Sequence, residues 1–290
     1  MTERAHAKVN LVLRVGPPRA DGLHPLCSLF AALDLHDDVA VSLDPGAQSD
    51  AVDCPGVGGD NLAAAAAAAF RAAAPAPAAD LPPLRIEIEK RIPVAAGLAG
   101  GSADAAAVLR AVNALAGAPL TADELRAVAA GLGSDVPSQV EPAHAVVSGV
   151  GERVERVELP PLAVVLLPRA EGLSTAAVYA EADRIGRFAD DLDAAPLRDL
   201  AAAAATTGAA RLAAALANDL QPAALSLRPE LEAGPAALRR AGALAAQVSG
   251  SGPTVFGVFA DRSAAEVAAR TLGAADPGEP APISTQLLTP

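Results

Sequence analysis

Residues 5–15, AHAKVNLVLRV, place Ala7, Val9, Leu11, Leu13 and Val15 on one face and His6, Lys8, Asn10, Val12 and Arg14 on the other, the two-residue period of a β-strand. Lys8 and Asn10 therefore share a face. Val39 to Leu43 repeats the alternation, and Leu84, Ile86 and Ile88 alternate with Arg85, Glu87 and Glu89 in a strand that delivers Lys90 and Arg91 to its end. Between these runs, PPRADGLH at 17–24 reads as a turn, 45–60 as loop, and Asn61 as the start of a helix. In PVAAGLAGGSADAAA, 93–107, a small-residue loop runs into a helix whose Ala105, Val108, Leu109, Val112 and Leu115 follow helical spacing. Thr121 and Glu124 predict a capping box, and the helix they open ends near Gly131 and Gly133, emptying into Ser134-Asp135-Val136-Pro137.

A strand pair is expected around 145–157, and Pro160-Pro161 marks a boundary between domains 1–159 and 160–290. Beyond it, Leu162–Leu167 reads as a buried strand, 197–245 as several Ala/Leu helices, and VSGSGPTVFGVF, 248–259, as a glycine turn leading into a strand. Ser263 and Glu266 are expected to cap another helix, and 283–288 to close the sheet. Strands and helices do not alternate regularly, so an α+β fold in two layers is favoured over a doubly wound sheet.

Composition narrows the partners. The 290 residues are 52% hydrophobic and 19% charged, which excludes a disordered chain and suits two domains. A net charge of −12 repels a phosphate backbone and an anionic membrane, so neither nucleic acid nor membrane is an expected partner, and functional positive charge must be local. Cys27 and Cys54 have no second Cys or His at ligand spacing, so neither a metal site nor a disulfide framework is supported and a reduced, cytoplasmic setting is expected. The apolar runs are broken by charge before they could span a bilayer, and MTERAHAK lacks the apolar core of a signal peptide. Of 22 basic residues only Lys8 and Lys90 are lysine. Either chance kept them, or their positions need a compact ammonium rather than a guanidinium fork. Tyr179 is the single tyrosine.

Gly97, Gly100 and Gly101 ahead of a helix suit an anion, because small residues let backbone N–H groups approach phosphate oxygens and the helix N-terminus adds positive charge. A packing turn explains such a loop as often. It is neither a Walker motif nor a dinucleotide fingerprint, and the His-Arg-Asp and Asp-Phe-Gly elements of protein kinases are missing. Asp135 is a turn carboxylate or, if it meets Lys8, a group that accepts a substrate hydroxyl proton while the ammonium offsets phosphoryl charge. His24 is assigned to recognition, and His6, His36 and His144 to structure or solvent. Ser249–Gly252 is a second anion-contacting turn or a tight bend.

On AHAKVNLVLRVGPPRADGLH at 5–24, DNL at 60–62, PVAAGLAGGSADAA at 93–106, GLGSDVP at 131–137, NDLQPAA at 218–224 and SGSGPTVFGVF at 249–259, the chain resembles the GHMP superfamily of small-molecule kinases over nearly its whole length. The resemblance implies an N-terminal ribosomal-protein-S5-like domain and a C-terminal ferredoxin-like α/β-plait domain, with the active site in the cleft between them. AKVNL with RADGxH points within the superfamily to transfer of the γ-phosphoryl group of ATP, accompanied by Mg²⁺, to the 2-hydroxyl of 4-(cytidine 5′-diphospho)-2-C-methyl-D-erythritol, a step in isoprenoid precursor synthesis. Homoserine-type or mevalonate-type acceptors, or binding without turnover, are the alternatives. Carried over by position, Asp135 is the general base and Lys8 its catalytic partner. Asn61, Leu62, Lys90 and the loop Pro93, Val94, Ala95, Ala96, Gly97, Leu98, Ala99, Gly100, Gly101, Ser102 and Ala103 fall where the family holds ATP. Asn10, Leu23, His24, Thr175 and Tyr179 fall where it holds the cytidine-bearing substrate. Leu23 stands where the family usually has an aromatic residue, which leaves Tyr179 as the expected stacking ring. Ala95, Ala96, Ala99 and Ala103 replace glycine or serine, and alanine fits there if φ is negative and no Cβ is crowded.

Overall fold

The computed structural model describes residues 1–58, 61–273 and 278–289. Asp60 of the DNL motif lies outside the described residues. The chain forms two compact units, one of Met1–Ala7, Leu35–Val94 and Ala99–Pro142, the other of Lys8–Asp34, Ala95–Leu98 and Ala143–Pro290.

Two long strands, β1 (Thr2–Val15) and β2 (Leu26–Leu43), contribute residues to both units. The alternation in β1 predicts one buried face, but every residue from Ala5 to Leu13 is buried, so Lys8 and Asn10 are enclosed rather than half-exposed. In the first unit, β3 (Ala51–Asp53) is a short strand inside the segment expected to be loop. It pairs parallel with β4 (Leu84–Glu89), which pairs antiparallel with the C-terminal half of β2, from Asp38↔Glu89 to Leu43↔Leu84. Three helices cover this part: α1 (Leu62–Ala73), α2 (Gly100–Leu115) and α3 (Ala122–Ala130), followed by the single turn α4 (Val136–Gln139). Ala63, Ala66 and Ala67 of α1 and Ala103, Ala106 and Ala107 of α2 are buried in one core with Phe70, Ile86 and Ile88. Small side chains let the two helices pack closely, and each fully buried large side chain such as Phe70 contributes roughly 1.5–3 kcal/mol. The Thr121–Glu124 capping box is present in both directions.

In the second unit, the N-terminal half of β2 pairs antiparallel with β5 (Ala145–Gly149), and β5 with β6 (Arg153–Arg156). The expected buried strand is β7 (Ala163–Leu167), and α5 (Thr175–Ile185) follows it. The Ala/Leu region resolves into α6 (Ala195–Thr207), α7 (Ala209–Ala214), the short strand β8 (Ala217–Asn218), α8 (Gln221–Leu227) and α9 (Ala233–Arg240). The glycine turn joins β9 (Ala245–Val248) to β10 (Val255–Phe259), then come α10 (Arg262–Gly273) and β11 (Ile283–Gln286). These strands form an antiparallel sheet in the order β11-β7-β10-β9, with α9 and α10 packed on it. Segregated helices and mainly antiparallel sheets bear out the α+β expectation.

One cap differs. Ser263 lies inside α10, and the orphan N–H of Ala264 is met at 2.8 Å by the Asp261 carboxylate, two residues earlier than Ser263 and Glu266 suggested. Asp261→Ala should cost about 1 kcal/mol in a urea titration, the worth of a lost N-cap, and Ser263→Ala almost nothing. The reverse order would restore the Ser263 cap.

Candidate active site

The predicted residues divide between the two units, and the second holds Lys8, Asn10, Leu23, His24, residues 95–98, Thr175 and Tyr179. Lys8, 5% exposed, donates to Asn10 Oδ1 at 2.9 Å and lies 4.4 Å over the Phe30 ring. Asn10 in turn donates to Ser28 Oγ at 2.9 Å, and Ser28 Oγ to Val12 O at 2.6 Å. The period-2 pattern put Lys8 and Asn10 side by side, and the neutral oxygen of Asn10 orients the ammonium.

Residues 95–98 of the glycine loop belong to this unit and rest on the Ser249–Gly252 turn. Gly97 has φ +72°, and a Cβ there would stand 2.5 Å from Ser249 O and 2.7 Å from Gly252 O. Ser249 Oγ donates to Gly97 O at 3.1 Å, and Lys8 N to Leu98 O at 3.1 Å. Glycine at 97 is thus a steric requirement. The expectation that the alanines adopt negative φ is overturned at two of them: Ala95 has φ 52° and Ala99 φ 59°. Ala95 fits because its neighbour is Gly172, where a Cβ would come within 2.8 Å of the Ala95 Cβ. At Ala95 close packing outweighs the local preference, which disfavours a left-handed alanine by roughly 1–2 kcal/mol.

His24, Tyr179 and Leu23 surround a second cluster. Arg19 N donates to Leu23 O and Gly22 N to Arg19 O, closing the predicted turn, and Leu23 stands 52% exposed at its tip. His24 Nδ1 donates to Gly16 O at 3.0 Å, and its Nε2 lies 3.4 Å from Asp183 Oδ1. Its ring is 4.9 Å from Tyr179 and 5.5 Å from Phe188. Phe188, which the sequence did not single out, therefore joins Tyr179 beside the His24 ring. Thr175, the first residue of α5, shares a 2.9 Å hydrogen bond with Ser251 Oγ.

In the first unit, Asn61 caps α1, its Oδ1 accepting from Ala63 N at 2.9 Å, and Leu62 packs against the core behind it. Pro93 and Val94 lead out of the β4 end, and Ala99 is the N-cap of α2, whose first turn holds Gly100, Gly101, Ser102 and Ala103. Lys90 bridges two carboxylates, Asp37 at 2.5 Å and Asp104 at 2.7 Å, and a Cβ on Gly100 would lie 3.3 Å from its Nζ. Asp37 also accepts from Arg91 N and Ile92 N, so it ties the end of β4 to this bridge. Burial would push the Lys90 ammonium down, but Asp104 and then Asp37 outweigh it and hold it above its ordinary value. Burial pushes the Asp104 carboxyl up, against the opposing pull of Lys90, and its Oδ1 has no hydrogen-bond partner. Asp135 is the half-buried N-cap of α4, its backbone oxygen accepting from Ser138 Oγ at 2.7 Å. Among the described residues no group of three or more His, Cys, Asp or Glu is arranged to hold a metal ion, and no helix is long and apolar enough to cross a membrane. Cys27 and Cys54 are both free thiols.

Residues 61–143 match the family model "GHMP kinases N terminal domain" and residues 200–277 the model "GHMP kinases C terminal". The chain belongs to the GHMP kinases. It is a kinase, and ATP is the co-substrate of this family. A relative from Streptomyces coelicolor named 4-diphosphocytidyl-2-C-methyl-D-erythritol kinase is 45% identical over 92% of this chain and 91% of its own, and one of the same name from an Anaeromyxobacter strain is 46% identical over 91% and 82%. A crystal structure of 4-(cytidine 5′-diphospho)-2C-methyl-D-erythritol kinase superposes with a TM-score of 0.79 at 34% identity, covering 100% of both chains. A crystal structure of L. major mevalonate kinase, with a TM-score of 0.70 at 16% identity over 99% of this chain and 95% of its own, shares the fold.

Two measurements check the loop and the bridge. Replacing Ala95 or Ala99 by Gly should stabilise the protein by about 0.5–1 kcal/mol each, the relieved strain less the added freedom of the unfolded chain; an unchanged or lower urea midpoint would rule the strain out. The folded Asp104 carboxyl titrates above its unfolded value of 3.8, up to about 7, so between those pH values the folded state binds more protons and stability falls as pH rises. The melting temperature of the wild type relative to Asp104→Asn should accordingly decline across that window. A constant difference would mean that Asp104 titrates alike in both states.

Proposed function

We propose that the protein transfers the γ-phosphoryl group of ATP to the 2-hydroxyl of 4-(cytidine 5′-diphospho)-2-C-methyl-D-erythritol, with Mg²⁺ entering on the ATP phosphates as part of the substrate. One observation carries the reading: a buried ammonium, Lys8, oriented by Asn10, on a chain that shares nine-tenths of its length with relatives named for this substrate. Likeness to homoserine and mevalonate kinases at 16% identity speaks only for the shared fold.

In the proposed reaction the substrate oxygen attacks the γ-phosphorus, the bond from that phosphorus to the β–γ bridging oxygen breaks, and ADP departs. The Asp135 carboxylate takes the hydroxyl proton. Lys8 offsets the negative charge that builds on the transferring group, and the N–H groups of the 93–103 loop and the first turn of α2 hold the remaining phosphate oxygens. The transition state is loose, so positioning and charge neutralisation suffice without a covalent enzyme intermediate. Asn61, Leu62 and Lys90 serve the nucleotide; the charge of Lys90 is balanced by Asp37 and Asp104, which suits ordering the loop. Asn10, Leu23, His24, Thr175 and Tyr179 serve the cytidyl substrate, with Phe188 adding a second ring beside His24. Residues 1–159 and 160–290 form the two family domains, a division supported by one matched segment on either side of it. A cytoplasmic location suits the small-molecule substrates.

Purified protein with ATP, Mg²⁺ and the cytidyl substrate should yield ADP and a monophosphorylated product, while homoserine and mevalonate give neither; turnover of either alcohol instead would reverse the assignment. Asp135→Asn keeps the shape and removes the proton acceptor, so kcat should fall by about 10²–10⁴-fold with little change in ATP affinity. Wild-type turnover in that variant would exclude the base role.

A further inference from the structure

The NDLQ segment at 218–221 has no part in the chemistry above, yet its side chains converge on the elements that carry it. Asn218 ends β8, which pairs parallel with β1 through Val12↔Ala217 and Leu13↔Asn218. Its Nδ2 donates to Val248 O at 2.9 Å and Gly250 O at 2.8 Å, and its Oδ1 accepts from Leu220 N at 3.0 Å. Both amide hydrogens and the amide oxygen are thus used. Three residues on, Gln221 Oε1 accepts from Val248 N at 2.9 Å. Asp219 faces the other way, its Oδ2 accepting from Val15 N and its Oδ1 from Arg14 on the surface.

The backbone that Asn218 grips is the entry to the Ser249–Gly252 turn. Gly250, at φ +55°, lies so close to β1 that a Cβ on it would come within 3.2 Å of Asn10 Oδ1 and 4.0 Å of Lys8 Nζ. On its other side the turn carries Gly97, through Ser249 Oγ to Gly97 O. Gln247, just before the turn, donates to Asn10 O at 2.9 Å and to Leu11 O at 3.2 Å. The Asn218 amide, together with those of Gln221 and Gln247, therefore sets the height of a floor on which Lys8, Asn10 and the middle of the glycine loop all rest. Only asparagine supplies two donors at this reach: aspartate would face two carbonyl oxygens with a carboxylate, and glutamine is one methylene too long.

We infer that Asn218 is a positioning residue for phosphoryl transfer, holding the Ser249–Gly252 turn at the height that aligns Lys8 and Gly97. The inference rests on the proposed roles of Lys8 and the loop. A misplacement of about 1 Å at a reacting group costs on the order of 100-fold in rate, so the effect belongs in kcat rather than in substrate affinity.

The test uses the full chain. In Asn218→Asp, kcat measured well below the melting temperature should fall by about 10- to 100-fold, with KM for the cytidyl substrate nearly unchanged. Backbone hydrogen exchange in peptides covering 95–98 and 249–252 should speed up. Arg14→Ala, which removes only the surface arm of the same segment, should leave both at wild-type values. If Asn218→Asp does not fold, Gln221→Met deletes the single acceptor for Val248 N and should show the same pattern at smaller amplitude. A variant whose melting temperature drops while kcat stays at the wild-type value would reduce Asn218 to a structural role and overturn the inference, as would unchanged exchange in the turn. Exchange needs no turnover, so a wild type inactive on the cytidyl substrate would count against the proposed function and leave the exchange result to judge Asn218.

Discussion

The contact between Gly97 and the Ser249–Gly252 turn is the constraint on which the second unit's chemistry depends. Two backbones meet there at a distance that leaves no room for a single carbon, and the carbonyls of Ser249 and Gly252 occupy the space that a side chain at 97 would need. Because the approach is so close, the position of the loop is set by the position of the turn. The turn's own position is set by amide side chains from β8, α8 and β9. Lys8 joins the same assembly twice, through its backbone to Leu98 and through its ammonium to Asn10. Displacing any one of these parts displaces the rest.

The two lysines are embedded in contrasting surroundings. Lys8 donates to a neutral amide oxygen and lies over an aromatic face, contacts that orient an ammonium. Lys90 sits between two carboxylates, one of them also stapling the backbone of residues 91 and 92. The arrangement at Lys90 ties β4 to α2.

Elements whose signals are local were legible in the amino-acid sequence: the β4 alternation, the α2 periodicity, the Thr121–Glu124 box and the turn before His24 all stand as read. The first half of β2 was not, because Leu26 to Leu33 is buried on both faces and so shows no period. The left-handed conformation of Ala95 was unreadable for the opposite reason, since that residue is packed against Gly172, far away in sequence. Phe188 lies just past the Gly186 cap of α5, in an irregular segment that offers no pattern to place it. At the candidate site, the shared face of Lys8 and Asn10 followed from the strand period, but the function of Asn218 depends on carbonyl groups some 30 residues later in the chain, which a motif alone cannot reveal.

The scarcity of aromatic rings has a practical side. With no tryptophan and one tyrosine among 290 residues, the near-ultraviolet emission of the whole molecule originates at Tyr179, packed beside the His24 imidazole. Evolution has left this enzyme with a single built-in lamp at the edge of its proposed nucleoside pocket, so occupancy there can be watched optically without attaching a dye.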